Sequence, residues 1–574
     1  MCEVVVGIDF GSSGTGYAYS FNNHKNIEPG KFPSQNVEVK VPTQIILDST
    51  LKTVKAFGNQ CDISLLGEDD LYFKKIKMHI YHNESYIKPE NNSKEFPLID
   101  IISKIFEYIS EEALAQLNQR KAGITKDQIK WIVTVPSIWN LEQKTTMIKA
   151  SENAGLFNKN TDRSNFLANE AEAASLYCSF DDSIDKNYLN PGKTYIVCDL
   201  GGGTGDIVIH YKTEADSIKE IYRPIGGPYG SEEINKEFFY KIFFKLFGYS
   251  DYLSLLDKCN YLRKNNNQKV SSWKDKDLYN EWKDLQKKIS SYKKITNNQR
   301  NQNFTLNCQI FEDFTDNSLQ VLVDKYNESC PEGWKIGISN EKKWILSFPY
   351  KIFFDLIENQ ASKISDQISE VYKNSDSIES IFYVGGYSSN EVLISYIKNK
   401  FPKLSHLKPS YPQKAVLNGA VLFGLYPEII KIRKAPYSIG FNCDDLWDEN
   451  IHGGIGQKYH DPKSNTDKCR NSFHSFIKKG QDISKDYIVE QGFITMNSRI
   501  IMLKFFKSEK ENPVLWTENG VELMGDVKLD LGQDYPEEER DFIIKLKFGG
   551  TFVDATCYHL KSGRELSFPL YFNK

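Results

Sequence analysis

No CxxC pair occurs among the ten cysteines of this 574-residue chain. Scattered cysteines in so long a sequence read as reduced, buried thiols, not as a disulfide framework. Charge of one sign is missing too: 72 Lys plus Arg stand against 76 Asp plus Glu, a net charge of −4. So small an excess gives no global attraction to nucleic acid or to anionic lipid. No apolar run approaches the ~20 residues that cross a bilayer. The opening MCEVVVGIDF has neither the basic n-region nor the long apolar stretch of a secretion signal. The expectation is a cytoplasmic protein, nuclear access left open, that neither enters a membrane nor binds nucleic acid. Apolar mass is plentiful: 40% hydrophobic and 13% aromatic residues can fill large cores, and the length implies more than one folding unit.

The most informative feature present is an internal repeat. VVVGIDFGSSGTGYAYSF near the N-terminus and YIVCDLGGGTGDIVIHY near the middle share one pattern. Each has an apolar strand with Asp at its end, then a Gly/Ser/Thr loop, then a second β-rich run. Asp9 and Asp199 hold equivalent places roughly 190 positions apart, which suggests two related lobes facing across a cleft. Between and after the copies, strand and helix signals alternate as in an α/β fold. Leu98, Ile102, Ile105, Ile109 and Ala113 make one helical stripe, and Ile234, Phe238, Ile242 and Leu246 another. WIVTVP is a buried strand stopped by Pro136, Gly155 ends the following helix, and Ser231 is placed to cap a helix with Glu232 and Glu233 in its first turn. Strand–turn–helix order returns at 378–401. Lys and Asn crowd 250–345 (RKNNNQK, TNNQRNQN), which predicts surface loops on a folded subdomain. After about Lys434 the long stripes stop. Ile544, Leu546 and Phe548, then Leu566, Phe568, Leu570 and Phe572, alternate as in the short strands of a separate β module.

Neither GSSGTG (11–16) nor GGGTG (201–205) is a P-loop, because the Lys-Ser/Thr ending is absent, and neither opens a helix. A glycine-rich hairpin nevertheless offers several backbone N–H groups to an anion. Ser12, Ser13, Thr15 and Thr204 add hydroxyls. Two such hairpins, each preceded by a carboxylate, could hold a triphosphate from both sides, with Asp9 and Asp199 directed at a Mg2+ ion, through water, and at the attacking water. VGG at 384–386 ends a strand where a flat ring can approach the backbone. His452, His460, Cys469 and His474 match no standard zinc spacing.

IDFGSSGTG, VCDLGGGTGD, NEAEAAS and YVGGYSSN, in this order, resemble the heat shock protein 70 ATPase domain of the actin/hexokinase-type superfamily. TVPSIW, GGPYGS, the Trp282–Lys294 segment and KAVLNGAVLFGLYPEIIKIRKAPYSIG are similar to its divergent heat shock 70 kDa protein 12-like branch. The resemblance implies a two-lobed ATPase domain of duplicated ribonuclease H-like lobes over 1–434, with a subdomain insertion at about 230–345. A β-sandwich-like module for protein or peptide clients, without a helical lid, would fill 435–574. It implies ATP/ADP and Mg2+ as ligands, Asp9 and Asp199 around the metal, and Asp9, Lys77, Glu170, Asp199 and Thr204 as the catalytic set. Lys75 is the competing lysine and Glu172 a branch-specific acid. Gly11, Ser12, Ser13, Gly201, Gly202 and Gly203 would meet phosphates; Gly227, Gly230, Lys293, Gly385, Gly386 and Tyr387 would line the rest of the nucleotide.

The sequence departs from the family's pattern at three places. Ser290 stands where a glutamate clasps the ribose, although Lys293 keeps its partner lysine, and Gln413 replaces an aspartate. IIKIRKAPYS stands in place of the acidic, leucine-rich interdomain linker. The implied function is an ATP-binding and ATP-hydrolysing chaperone or protein-interaction factor, monomeric, with co-chaperones open. A nucleotide-sensing scaffold with little turnover is the alternative, and a small-molecule kinase a third reading.

Overall fold

The structure, a computed structural model, describes residues 4–21, 26–33, 39–62, 65–67, 69–157, 166–214, 217–248, 275–308, 311, 317–339, 344–373, 377–462, 464–484, 487–548 and 553–570. RKNNNQK and Phe572 lie outside them.

Both repeat copies form antiparallel hairpins. Val4–Phe10 pairs with Gly14–Phe21, setting Asp9 opposite Gly16. Thr194–Leu200 pairs with Gly205–Glu214, setting Asp199 opposite Asp206. The first strand of each hairpin takes a parallel neighbour on its other edge, Ile129–Val135 in one sheet and Ile378–Val384 in the other. Each of these takes a further parallel strand, Leu167–Asn169 or Ser405–Leu407. The two sheets therefore repeat one strand order. Their inner strands are buried along their whole length (Val4–Phe10 and Thr194–Leu200), so they read as near-continuous apolar runs.

Two helices lie between the sheets. Ala415–Leu425 packs its Leu417, Ala420 and Val421 on Val5, Ala18 and Ile132 of the first sheet. Glu170–Phe180 packs Ala171, Ala174 and Cys178 on Tyr195, Val197 and Phe382 of the second. The helices cross at Gly419, where a Cβ would stand 1.8 Å from the carbonyl oxygen of Ala173. Backbone cannot yield as a side chain can, so Gly419→Ala should cost at least the ~1–3 kcal/mol of overpacking. Urea unfolding of the variant should show a lower midpoint; an unchanged one would mean that the crossing is looser than described.

The striped helices form as expected: Leu98–Arg120 buries Leu98, Ile102, Ile105, Ile109 and Ala113. Leu141–Asn153 ends at Gly155, whose φ of +71° suits glycine. The second stripe runs through Ser231–Phe238, a π turn at Phe239–Phe243, and Phe244–Phe247. Ser231 is not the cap of that helix. Gly230 takes the capping position, and the first amides donate to the second glycine turn instead. TNNQRNQN is not a plain loop either: Thr296 and Gln299 close a capping box before the strand Asn303–Asn307.

After Lys434 the chain builds two antiparallel sheets. One runs Gln457–Asp461, Thr466–Ile477, Ser438–Leu446, Ile500–Ser508, Val521–Asp530; the other Ile488–Ile494, Asp541–Lys547, Asp554–His559, Glu565–Pro569. They meet through rings: Phe493 of the second sheet lies 5.0 Å from Phe441 of the first. Strand Ile430–Lys434 does not hang free between the parts. It pairs parallel with Ser217–Gly227, and Asp482–Ser484 from the C-terminal part adds to its other edge. Among the described residues no helix is long and apolar enough to cross a membrane, and the eight described cysteines are free.

Candidate functional site

The two glycine turns face each other. A Cβ on Gly202 would meet Ser13 Oγ at 1.8 Å, and one on Gly203 would meet Ser12 Oγ at 2.4 Å. Glycine is thus required by close approach as much as by turn geometry. Within the first turn, a Cβ on Gly11 would strike the carbonyl oxygen of Gly14 at 2.3 Å, and Thr43 donates its hydroxyl to the Gly11 carbonyl at 2.6 Å. Gly201 and Thr204 close the second turn by a backbone hydrogen bond of 3.0 Å.

Beneath the turns the strand ends deliver their carboxylates. Asp9 and Asp199 are both buried, and Glu170, first residue of the helix between the sheets, joins them. Lys77 Nζ meets Glu170 Oε1 at 2.5 Å and lies 5.5 Å from the centre of the Trp139 ring. Lys75 turns elsewhere: it caps helix Ile76–Tyr81 in a left-handed conformation, φ 56°, among Lys74, Glu90 and Glu232. Burial, then the charges of Glu170 and Asp9, push the Asp199 carboxyl up to about 7, while Lys40 and Lys77 oppose the shift. Burial likewise raises Glu170, against the pull of Lys77.

Two members of this cluster escaped the sequence reading. Asp206 is buried; Ser137 N donates to its Oδ2 at 3.0 Å, and burial together with Glu170 and Asp199 raises its pKa. Its signal was its place opposite Asp199 in the hairpin. Lys40 forms an ion pair with Asp9 Oδ2; a lone lysine before Val41–Pro42 carries no motif that could have announced it. Four carboxylates thus face the ammonium groups of Lys40 and Lys77, a surplus of negative charge where burial makes it costly. Such a set of hard oxygen donors fits a small divalent cation.

The expected wall residues gather on the second turn. Gly230, Ser231 and Glu232 donate their amides to the carbonyls of Gly203, Gly201 and Gly202 at 3.2, 3.2 and 2.8 Å. Lys293 Nζ donates to Ser231 O at 2.9 Å and sits 3.6 Å from Glu232. Ser290 accepts from Asn235 Nδ2 at 2.9 Å. Gly385, at φ +81°, packs so closely that a Cβ would lie 2.6 Å from Asp199 Oδ1, whereas Gly386 faces open space. Gly227 packs against the Tyr229 ring. Tyr387 is buried, its hydroxyl donating to Gln360 Oε1 at 2.9 Å, and Gln360 in turn donates to the Gly230 carbonyl.

A second buried charge group adjoins the first. Glu172, two residues beyond Glu170 on the same helix, receives a forked pair of bonds from Arg433, at 2.6 Å from Nε and 2.9 Å from Nη2. Burial alone would raise the Glu172 carboxyl, but Arg433 overrides it and holds it below its ordinary value. Burial and the Glu172 charge push nearby Glu220 up to about 8; burial and Arg433 push Lys144 down to about 8. The segment that replaces the expected linker is therefore fastened to the helix that begins at Glu170.

No family model matches the chain. It is 24% identical to mouse (Mus musculus) heat shock 70 kDa protein 12A over 649 aligned residues, covering 99% of this chain and 91% of that protein. To human (Homo sapiens) heat shock 70 kDa protein 12B it is 22% identical, over 98% of this chain and 90% of that protein. A chaperone protein HscA homolog of Rickettsia typhi matches only 36% of the chain, at 25% identity. Along nearly its whole length, this chain is similar to the heat shock 70 kDa proteins 12A and 12B.

Proposed function

We propose that the chain binds ATP and Mg2+ between its two glycine turns and hydrolyses the γ-phosphate, as a heat shock protein 70-like factor acting on protein or peptide partners. Residues 1–434 form a two-lobed ATPase domain with the inserted subdomain, and 435–574 a β-sandwich that meets the partner. The observation that carries this reading is the convergence of Asp9, Glu170, Asp199 and Lys77 at the facing turns. Asp9 and Asp199 would hold Mg2+, which would supply charge neutralisation at the phosphates. Asp199, with a carboxyl near 7, is suited to orient a water and take its proton. Lys77 and the amides of the turns stabilise charge that develops on the transferred phosphoryl group. Glu170 holds Lys77 in place.

A sensor with little turnover is the second reading. It is favoured by Ser12 and Ser13 lying directly against Gly203 and Gly202, so that phosphates must part the turns, and by Ser290 at the ribose position. Calorimetric titration of ATP and ADP with Mg2+, followed by steady-state phosphate release, separates them. We expect one nucleotide per chain and measurable release without any added sugar. Binding with neither phosphate release nor ADP formation selects the sensor, ADP formation that needs a sugar and releases no phosphate selects the kinase, and no binding overturns the nucleotide site.

A further inference from the structure

In the C-terminal sheets, three side chains of different chemistry meet away from the carboxylate cluster. Cys443 and Asp445 lie two residues apart on strand Ser438–Leu446, and His474 comes from the paired strand Thr466–Ile477, opposite Phe441. On an antiparallel pair, positions so related share one face. One donor atom from each, a sulfur, a carboxylate oxygen and a ring nitrogen, all fall within 4.8 Å of one another. His474 Nδ1 sits 2.8 Å and Cys443 Sγ 3.3 Å from the same Asp445 oxygen. The other ring nitrogen, Nε2, faces Gln491 Oε1 at 2.5 Å. Gln491 belongs to strand Ile488–Ile494 of the opposite sheet, so the cluster sits where the two sheets meet. The Phe493 ring closes one side, 5.4 Å from the imidazole.

We propose that Cys443, Asp445 and His474 form a zinc site. Zn2+ takes thiolate, imidazole and carboxylate donors together, at bond lengths of ~2.0–2.3 Å, which a triangle of this size accommodates. Mg2+ and Ca2+ do not favour sulfur and nitrogen. Both ring nitrogens of His474 now face acceptors, and Cys443 also donates to Asp445. The ion replaces two protons, one from the Cys443 thiol and one from His474 Nδ1, and both pass to solvent. Gln491 keeps the Nε2 proton and so fixes the ring with Nδ1 turned to the metal, as the outer partners of zinc-bound histidines do. Three protein ligands leave a fourth position for water or for a partner's side chain, and His474 and Asp445 are 29% and 30% exposed there. The other candidates from the sequence take no part: His452 accepts from Asp448 N, His460 pairs with Asp467, and Cys469 Sγ donates to the Arg470 carbonyl.

The test uses the full-length chain, stripped with a chelator and titrated with Co2+ as a coloured stand-in for zinc. One equivalent should produce a thiolate-to-cobalt absorption band that Zn2+ then abolishes. Cys443→Ser and His474→Ala should each remove the band. Gln491→Ala, which keeps all three donors, should weaken affinity about 10–100-fold. No band in the unsubstituted chain, or a band undiminished in Cys443→Ser, would overturn the site. Should the donor variants fail to fold, unchanged cobalt affinity in Gln491→Ala overturns it just as well. The Asp9–Asp199 cluster cannot mimic the result, because its donors are oxygens.

Discussion

Lys77→Ala is expected to slow ATP hydrolysis on the order of 10²–10³-fold, the loss typical of one well-placed donor to a developing anion. Lys75→Ala should change it little. The two lysines are close in sequence, but Lys77 Nζ reaches Glu170 at 2.5 Å while Lys75 caps helix Ile76–Tyr81 in a left-handed conformation. ATP binding should weaken only modestly, since in the proposed mechanism Lys77 acts chiefly on charge that appears during transfer. The variant also carries a second signature. Lys77 holds down the carboxyls of Glu170, Asp199 and Asp206. Removing the ammonium lets those pKa values rise, so the carboxylate form is reached only at higher pH, and the residual turnover should peak at a more alkaline pH than in the unsubstituted protein. Phosphate release across a pH series measures both effects. Equal losses in the two variants, with an unmoved profile, would place the catalytic lysine elsewhere.

Much of this site was legible because it repeats. Asp9 and Asp199 could be matched by their position before a glycine turn, and the structure puts both turns face to face. Periodicity located Leu98–Arg120, and strand–turn–helix order located Glu391–Lys400, since such patterns and their end signals are local properties. What stayed hidden was decided by contacts distant in sequence. Lys40 joins Asp9 only once the segment before Val41–Pro42 lies beside the first hairpin. Asp206 matters because strand pairing sets it opposite Asp199, not because of its neighbours. Ser231 carries a good capping side chain, yet tertiary hydrogen bonds from the helix's first amides to Gly201–Gly203 displaced that role. Cys443, Asp445 and His474 match no short motif, because two strands supply the donors and a third orients them.

Arg433→Met should cost on the order of 3–5 kcal/mol, because it strips the partner from a buried carboxylate and leaves the charge uncompensated. The geometry justifies the large figure: the bonds are forked, at 2.6 and 2.9 Å, and the Glu172 and Arg433 side chains are only 1% and 14% exposed. Replacing both, Arg433→Met with Glu172→Met, should recover most of the loss, since two apolar groups need no desolvated charge. The pH dependence has a definite sign. Glu172 titrates below its ordinary 4.5 in the folded protein, so the pair's stabilisation is complete above that value and fades as pH falls through the lowered one. In Arg433→Met the carboxyl has lost its cation and titrates higher, so the variant's deficit should shrink on acidification. Urea unfolding of the three proteins at neutral and acidic pH tests this. The consequence extends beyond stability: Arg433 lies on strand Ile430–Lys434, whose far edge binds Asp482–Ser484, while Lys434 and Lys219 pair with Asp482 at 2.7 and 2.5 Å. Glu172 belongs to the helix that opens with Glu170. Loss of the pair therefore removes one of the ties between strand Ile430–Lys434 and the helix of the carboxylate cluster, the strand pairing and the Asp482 ion pairs remaining. Hydrogen exchange in strand Asp482–Ser484 should rise in Arg433→Met but not in Gly419→Ala.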